Sequence, residues 1–325
     1  MVHEGGGAGV EAIAVGVDVG GTKLLAAAVG SDGTIVARER LSSPRGDPEG
    51  LVARITTAAS ELGPGLPLGV GAAGIVSREG VVRYGPNINI RNLDLQGRLT
   101  RDLDVPVVVR NDATVALYGE LQAGAGRGVR DVVMLTMGTG VGGGIAAEGR
   151  LVEGANGMAA ELGHLTVEDG GRRCACGGQG HLEAYSSGMV LGLRAQELLH
   201  ETDDPSSLRG VTLVDGEAVT TAAANGDDVA LRVLRESGYW LGVGLTSIVN
   251  ALDPELLILG GGAAAAAARF LVPEAVEILR ERILGAGHRP VPPLVVAELG
   301  DDAGMIGSAL LAHAQSQVSE GDEAA

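Results

Sequence analysis

The sequence predicts an α/β protein of two related lobes. Short apolar, β-branched runs alternate with stretches of helical spacing along most of the chain. A strand–glycine turn–strand unit occurs twice, near 13–30 and near 132–149. The predicted lobes are 1–115 plus 301–325, the smaller, and 116–300, the larger, facing a cleft.

The elements follow in order. IAVGVDV (13–19) is short, apolar and β-branched, as a buried strand is. GGTK turns it into a second strand, LLAAAVG (24–30), and TIVARERL (34–41) reads as a third. PEGLVARITTAASEL (48–62) has helical spacing with Pro near its start. LPLGVGAA (66–73) and VPVVVRN (105–111) are strands, with a short helix, DLQGRLTRDL (94–103), between them. DATVALYGELQAG (112–124) is a helix with a glycine stop. The pattern then restarts with strand 132–137, the turn GTGVGGG and strand 145–151. Helices are expected near 183–200, 217–225 and 227–251, a strand at 255–260, a helix near 273–284 and a strand at 294–299. A last helix covers 303–315, and SQVSEGDEAA reads as a frayed acidic tail.

Composition limits what such a protein does. At 325 residues it has length for two cores, built from Ala, Val, Leu and Ile because Phe, Trp and Tyr number only 1, 1 and 4. A net charge of −17 argues against nucleic acid or an anionic membrane as main partner. An anionic ligand then needs a local pocket of backbone N–H groups. MVHEGGGAGVEA lacks the basic and apolar regions of a signal peptide, and LLILGGGAAAAAA (256–268) is too short to span a bilayer, so a cytoplasmic location is expected.

DVGGTK (18–23) and TMGTGVGGG (136–144) are candidate phosphate loops. Glycine lets backbone approach a ligand, and its N–H groups form an anion nest. The residues are Asp18, Gly20, Gly21, Thr22 and Lys23 in one loop, and Gly138, Thr139 and Gly140 in the other. Asp18 suits Mg²⁺ held through water. Each loop alone is equally a plain hairpin turn. A strand follows each, which excludes the dinucleotide fingerprint, and GxxxxGK[ST] is absent. Two glycine hairpins, one opening each lobe, are the arrangement of the actin-like ATPase (ribonuclease H-like) fold. Gly260, Gly261 and Gly262, between a strand and a helix, are a third candidate contact, near the adenosine.

VVVRNDA (107–113) ends a strand on Asn111 and Asp112. A carboxylate there suits a general base, although the local residues alone favour an N-cap. Glu161, His164 and Glu183 add groups that pair with sugar hydroxyls; a solvated glutamate and a structural histidine are the plainer readings. Both cysteines lie in CACGGQGHLE (174–183). His164, Cys174, Cys176 and His181 make up the four ligands of a closed tetrahedral Zn²⁺ site; two inert buried cysteines are the other reading.

DVGGTK, RNDA (110–113), TMGTGVGGG, ANGMAAELGH (155–164), CACGGQGHLEAYSSG (174–188), LILGGG (257–262) and LGDDAGMIGSAL (299–310) occur in this order. Together they resemble the repressor–open reading frame–kinase (ROK) family of sugar kinases, and within it the glucokinases, over about 13–315. The resemblance implies ATP-dependent phosphorylation of a hexose 6-hydroxyl, with Mg²⁺ and a structural Zn²⁺. It makes Asp112 the general base and Asn87, Asn111, Glu161, His164 and Glu183 the sugar ligands. It implies hexose and ATP as partners and a homodimer or homotetramer. Glucose is the expected hexose; N-acetylmannosamine, N-acetylglucosamine, fructose and allose are the alternatives, with a non-catalytic sugar sensor as a different class. Only about a dozen residues precede the first strand, too few for the helix-turn-helix domain of the family's repressors. The chain departs from the family pattern at His181 (a third cysteine there), Ala73 (proline), INIRN (a missing tryptophan) and Ala160 (glycine).

Overall fold

The computed structural model describes residues 10–323. The chain begins with β1 (Ala12–Val19), β2 (Lys23–Gly30), β3 (Ile35–Ser42), α1 (Pro48–Leu62) and β4 (Leu68–Ala72). Three short strands follow, β5 (Ile75–Val76), β6 (Val81–Gly85) and β7 (Ile90–Asp94), then α2 (Leu95–Leu103), β8 (Val107–Asn111) and α3 (Asp112–Ala123). The second run holds β9 (Val132–Met137), β10 (Val141–Ala147), β11 (Arg150–Leu151), α4 (Glu183–Ser186), α5 (Gly188–Glu201) and α6 (Gly216–Ala224). It continues with α7 (Asp228–Leu252), β12 (Leu256–Gly260), α8 (Gly262–Arg282), β13 (Leu294–Val296) and α9 (Ala303–Glu323). The chain divides into two compact units. The first takes residues up to Val129, Gly144–Ala160 and those from Asp301 on; the second takes Arg130–Gly143 and Glu161–Gly300.

In the first unit the sheet order is β3-β2-β1-β4-β8. β1, β2 and β3 run antiparallel, while β4 is parallel to β1 and β8 parallel to β4. Side chains alternate between faces along a strand, so the two faces have separate cores. Val15, Val17, Leu68, Val70, Val107 and Val109 join Leu51 and Ile55 of α1 and Leu95 and Leu99 of α2. Asp47 caps α1 by accepting from the Gly50 N–H at 2.9 Å, and Pro48 starts it where no N–H is needed. Val108 on the other face joins Val115 of α3 and Leu311 of α9. α9 lies directly on this face. A side-chain carbon on Gly16 would overlap the Met305 carbonyl, and one on Gly69 the Ser308 carbonyl.

In the second unit β9 and β13 both pair parallel with β12, and the first residues of β10, Val141–Gly143, belong to the same unit. β12 is wholly buried, as a central parallel strand must be. Residues 161–182 contain one 3-10 turn, Leu162–His164, and two isolated antiparallel bridges, Thr166 with His181 and Arg173 with Gln179.

Several sequence expectations need correction. Only Gly138–Gly140 forms the second turn, because β10 already starts at Val141 and runs through the glycines. The expected 183–200 helix is broken at Ser187, an extended residue that caps α5. α8 starts at Gly262 rather than near 273, since an alanine run is a strong helix former, and Pro273 lies inside it. The tail expected to fray is helical through Glu323; Ala324 and Ala325 lie outside the described residues. The sheet β5-β6-β7 was not expected. Among the described residues, no helix is long and apolar enough to cross a membrane.

The close seat of α9 predicts that Gly69→Ala lowers stability by about 1–3 kcal/mol through overpacking. Chemical denaturation measures this, and an unchanged midpoint would contradict the packing account.

Candidate active site

The first unit gathers the acidic half of the expected site. Asp18 ends β1, opposite Gly71 of β4, and its carboxyl carbon faces Gly304 in the first turn of α9. Gly71 has no side chain, which leaves room for Val115 of α3. Burial pushes the Asp18 carboxyl up to about 7, Asp112 adds to the rise, Lys23 opposes it, and Asp301 raises it again. Burial likewise pushes Asp112 up to about 6, against the Ala113 N–H that donates to its Oδ1 at 2.9 Å. Two carboxylates at the ends of β1 and β8 are therefore held where their negative charge is costly.

The cap reading of Asp112 is overturned. Asn111 is the N-cap of α3: its Oδ1 accepts from the Thr114 N–H at 3.1 Å. Its Nδ2 donates to the Gly74 carbonyl at 3.0 Å, and its side chain also hydrogen-bonds the Asp112 carboxyl. Asp112 is the first residue of the helix rather than its cap.

The β1–β2 hairpin is closed by the Gly20 N–H on the Lys23 carbonyl at 3.0 Å. Thr22 is exposed at its tip, and the Ser43 N–H donates to the Thr22 carbonyl at 3.1 Å. Gly21 leaves room for the Asn87 backbone, which brings these two expected ligand residues together. Lys23 Nζ pairs with Asp301 at 3.0 Å. Asp301 is a site residue that sequence reasoning missed, although it lies in the quoted LGDDAGMIGSAL. Its only signal was a carboxylate just before a helix.

The second unit holds the other hairpin, closed by the Gly138 N–H on the Gly140 carbonyl at 2.9 Å, with Thr139 exposed. Gly261, at φ +89, turns the chain from β12 into α8; a side-chain carbon there would overlap the Met137 carbonyl. The Gly260–Gly262 turn therefore lies beside this hairpin.

His164, Cys174, Cys176 and His181 come together, with their ligand atoms all within 4.8 Å of one another. His181 Nδ1 is 3.2 Å from Cys176 Sγ, and His164 Nδ1 is 3.9 Å from Cys174 Sγ. Tetrahedral Zn²⁺ at its usual bond lengths places ligands roughly 3.5 Å apart, so the set closes with small movements. Burial, first of all, pushes the Cys174 thiol up to about 12. Two sulfurs and two imidazoles fit zinc in number, softness and spacing. His164 turns its other nitrogen, Nε2, to Glu161, 3.9 Å from Oε2. One imidazole can thus serve the cluster through Nδ1 and present Nε2 to a ligand. Glu183 opens α4, between Cys174 and the hairpin: its Oε1 is 3.3 Å from Cys174 Sγ. Ala160, just before Glu161, holds φ +67, a left-handed value that favours the glycine of the family pattern. Of the expected sugar ligands, Asn87, Asn111 and Asp112 belong to the first unit and Glu161, His164 and Glu183 to the second.

The strand–hairpin–strand occurs twice, and the first unit carries carboxylates at or beside the ends of β1 and β8. The profile of the ROK family matches residues 14–315. The chain is 35% identical over 312 residues to a glucokinase of Streptomyces coelicolor, covering 93% of this chain and 98% of that one. It is 30% identical to an N-acetylmannosamine kinase of Escherichia coli O157:H7, over 92% of this chain and 98% of that one. It superposes on the crystal structure of a ROK glucokinase from Streptomyces griseus in complex with glucose and AMPPNP with a TM-score of 0.81. That match has 36% identity and covers 92% and 98% of the two chains. The chain belongs to the ROK family.

Proposed function

We propose that the chain is an ATP-dependent hexose kinase that phosphorylates the 6-hydroxyl of glucose. The observation that carries this reading is Asp112: a carboxyl raised to about 6, at the end of β8, in a chain that aligns with glucokinases along nearly its whole length. A base near the working pH takes a hydroxyl proton in the transition state while remaining largely ionised at rest. Asp112 is assigned that proton. Asn87, Asn111, Glu161, His164 and Glu183 are assigned the sugar hydroxyls, with Nε2 of His164 as a donor fixed by what holds Nδ1.

The hairpins Gly20–Lys23 and Gly138–Gly140 are assigned the phosphates, and Gly260–Gly262 the adenosine end. Transfer of a phosphoryl group needs alignment and charge stabilisation more than covalent help. Mg²⁺, when bound, neutralises phosphate charge; Asp18, raised to about 7 beside other carboxylates, has the oxygen chemistry to hold it through water. Lys23, paired to Asp301, keeps a positive charge at the mouth of the first hairpin. Zinc is assigned to His164, Cys174, Cys176 and His181, where it ties the loops carrying Glu161 and Glu183.

Release of ADP with ATP, Mg²⁺ and a panel of hexoses and N-acetylhexosamines tests the substrate. Turnover is expected to be highest with glucose; higher turnover with N-acetylmannosamine would transfer the assignment to that sugar. Asp112→Asn is expected to lose about 10²–10⁴-fold in kcat while glucose binding by calorimetry changes less than about threefold. Near-normal turnover in that variant would remove Asp112 from the chemistry. Elemental analysis is expected to find one zinc per chain, lost with a fall in Tm in His181→Ala. Freshly purified protein without zinc would contradict this assignment.

A further inference from the structure

Three contacts fix the hairpin between β9 and β10, and all come from residues 163–188. The Val141 N–H donates to Glu183 Oε2 at 2.9 Å. The Gly188 N–H donates to the Gly138 carbonyl at 2.9 Å. Gly163 lies so close that a side-chain carbon there would overlap the Val141 carbonyl. Only the Glu183 contact is made by a side chain. A carbon on Gly140 would overlap Glu183 Oε2, so glycine at 140 is what lets the carboxylate in. The other oxygen, Oε1, faces Cys174. The Glu183 backbone is itself tied, since the Ser187 N–H donates to its carbonyl at 3.2 Å.

We propose that Glu183 is a positioning residue for the phosphate-binding hairpin, in addition to its expected place at the sugar. The proposal rests on the nucleotide reading of Gly138–Gly140 given above. A hairpin tip of two glycines and a threonine has little means of holding its own shape. Backbone N–H groups bind phosphate well only when they are held converging before the ligand arrives. A carboxylate accepting from Val141 N–H makes a charge-assisted bond, stronger than one between neutral groups. Glu183 thus anchors the hairpin at its C-terminal side. The same carboxylate lies beside Cys174, so the loop of the four-ligand cluster and the hairpin share one side chain. Sugar and nucleotide sides would then be coupled through one side chain.

Hydrogen exchange at the Val141 amide, in the full-length metal-loaded chain without sugar, tests this. Wild type and Glu183→Gln, which keeps an acceptor oxygen, are expected to protect that amide. Glu183→Ala is expected to speed its exchange by about tenfold or more, with Leu135 in β9 unchanged. Binding of AMPPNP without sugar is expected to weaken by about tenfold in Glu183→Ala and to recover in Glu183→Gln. Equal Val141 exchange in wild type and Glu183→Ala would overturn the proposal, as would unchanged AMPPNP affinity. Should Glu183→Ala not fold, Gly140→Ala must expose Val141 in the same way, and unchanged exchange there overturns the proposal equally. A wild-type chain that binds no AMPPNP would defeat the kinase reading, while the Val141 exchange would still decide whether Glu183 anchors the hairpin.

Discussion

Two carboxylates sit where they cannot be comfortably ionised, and much of the first unit exists to hold them there. Asp18, near the end of β1, and Asp112, just after β8 on the far side of β4, rise to about 7 and about 6. The sheet, α3 and α9 leave both carboxylates half-buried, with limited access to water. The glycines at 16 and 69 let α9 lie directly on the strands, and Gly71 makes room for Val115 of α3. A group raised in this way lowers stability as pH climbs through its folded value, since the unfolded chain ionises freely from about pH 4.

The second unit works differently. Between Glu161 and Ser187 it has little regular structure, and side-chain chemistry replaces it. Tyr185 donates to Glu168, and Arg172 pairs with Glu197 of α5. Arg194 joins Glu197, Glu201 and Glu236, which binds α5 to α7. The four-ligand cluster closes the loop at its centre. A segment fixed mainly by polar links can place Glu161, His164 and Glu183 without a long helix or strand under each.

The strands that start each repeat were legible because apolar β-branched residues separated by glycine have few alternatives. α1 was legible to the residue, since Asp47, Pro48 and the helical spacing all act locally. The sheet β5-β6-β7 was not: Arg83, Tyr84, Arg91 and Asn92 are exposed, so the apolar signal is too thin. α8 hid behind Pro273, a residue that ordinarily starts or breaks helices. The four metal-type ligands were legible as a set because cysteine is so rare here. Which residue caps α3 was not, because Asn111 and Asp112 are both good caps and only the fold decides. The second role of Glu183 depends on a contact with Val141, 42 positions away in sequence, and no local pattern announces it.

The most direct test of Asp112 as the general base is the pH dependence of kcat/KM for glucose between about pH 4.5 and 8.5. The account predicts a rate that falls with decreasing pH through about 6, where the free chain's Asp112 takes up its proton. It also predicts that this limb disappears from the residual activity of Asp112→Asn. A profile flat down to pH 4.5, or the same limb in Asp112→Asn, would contradict it.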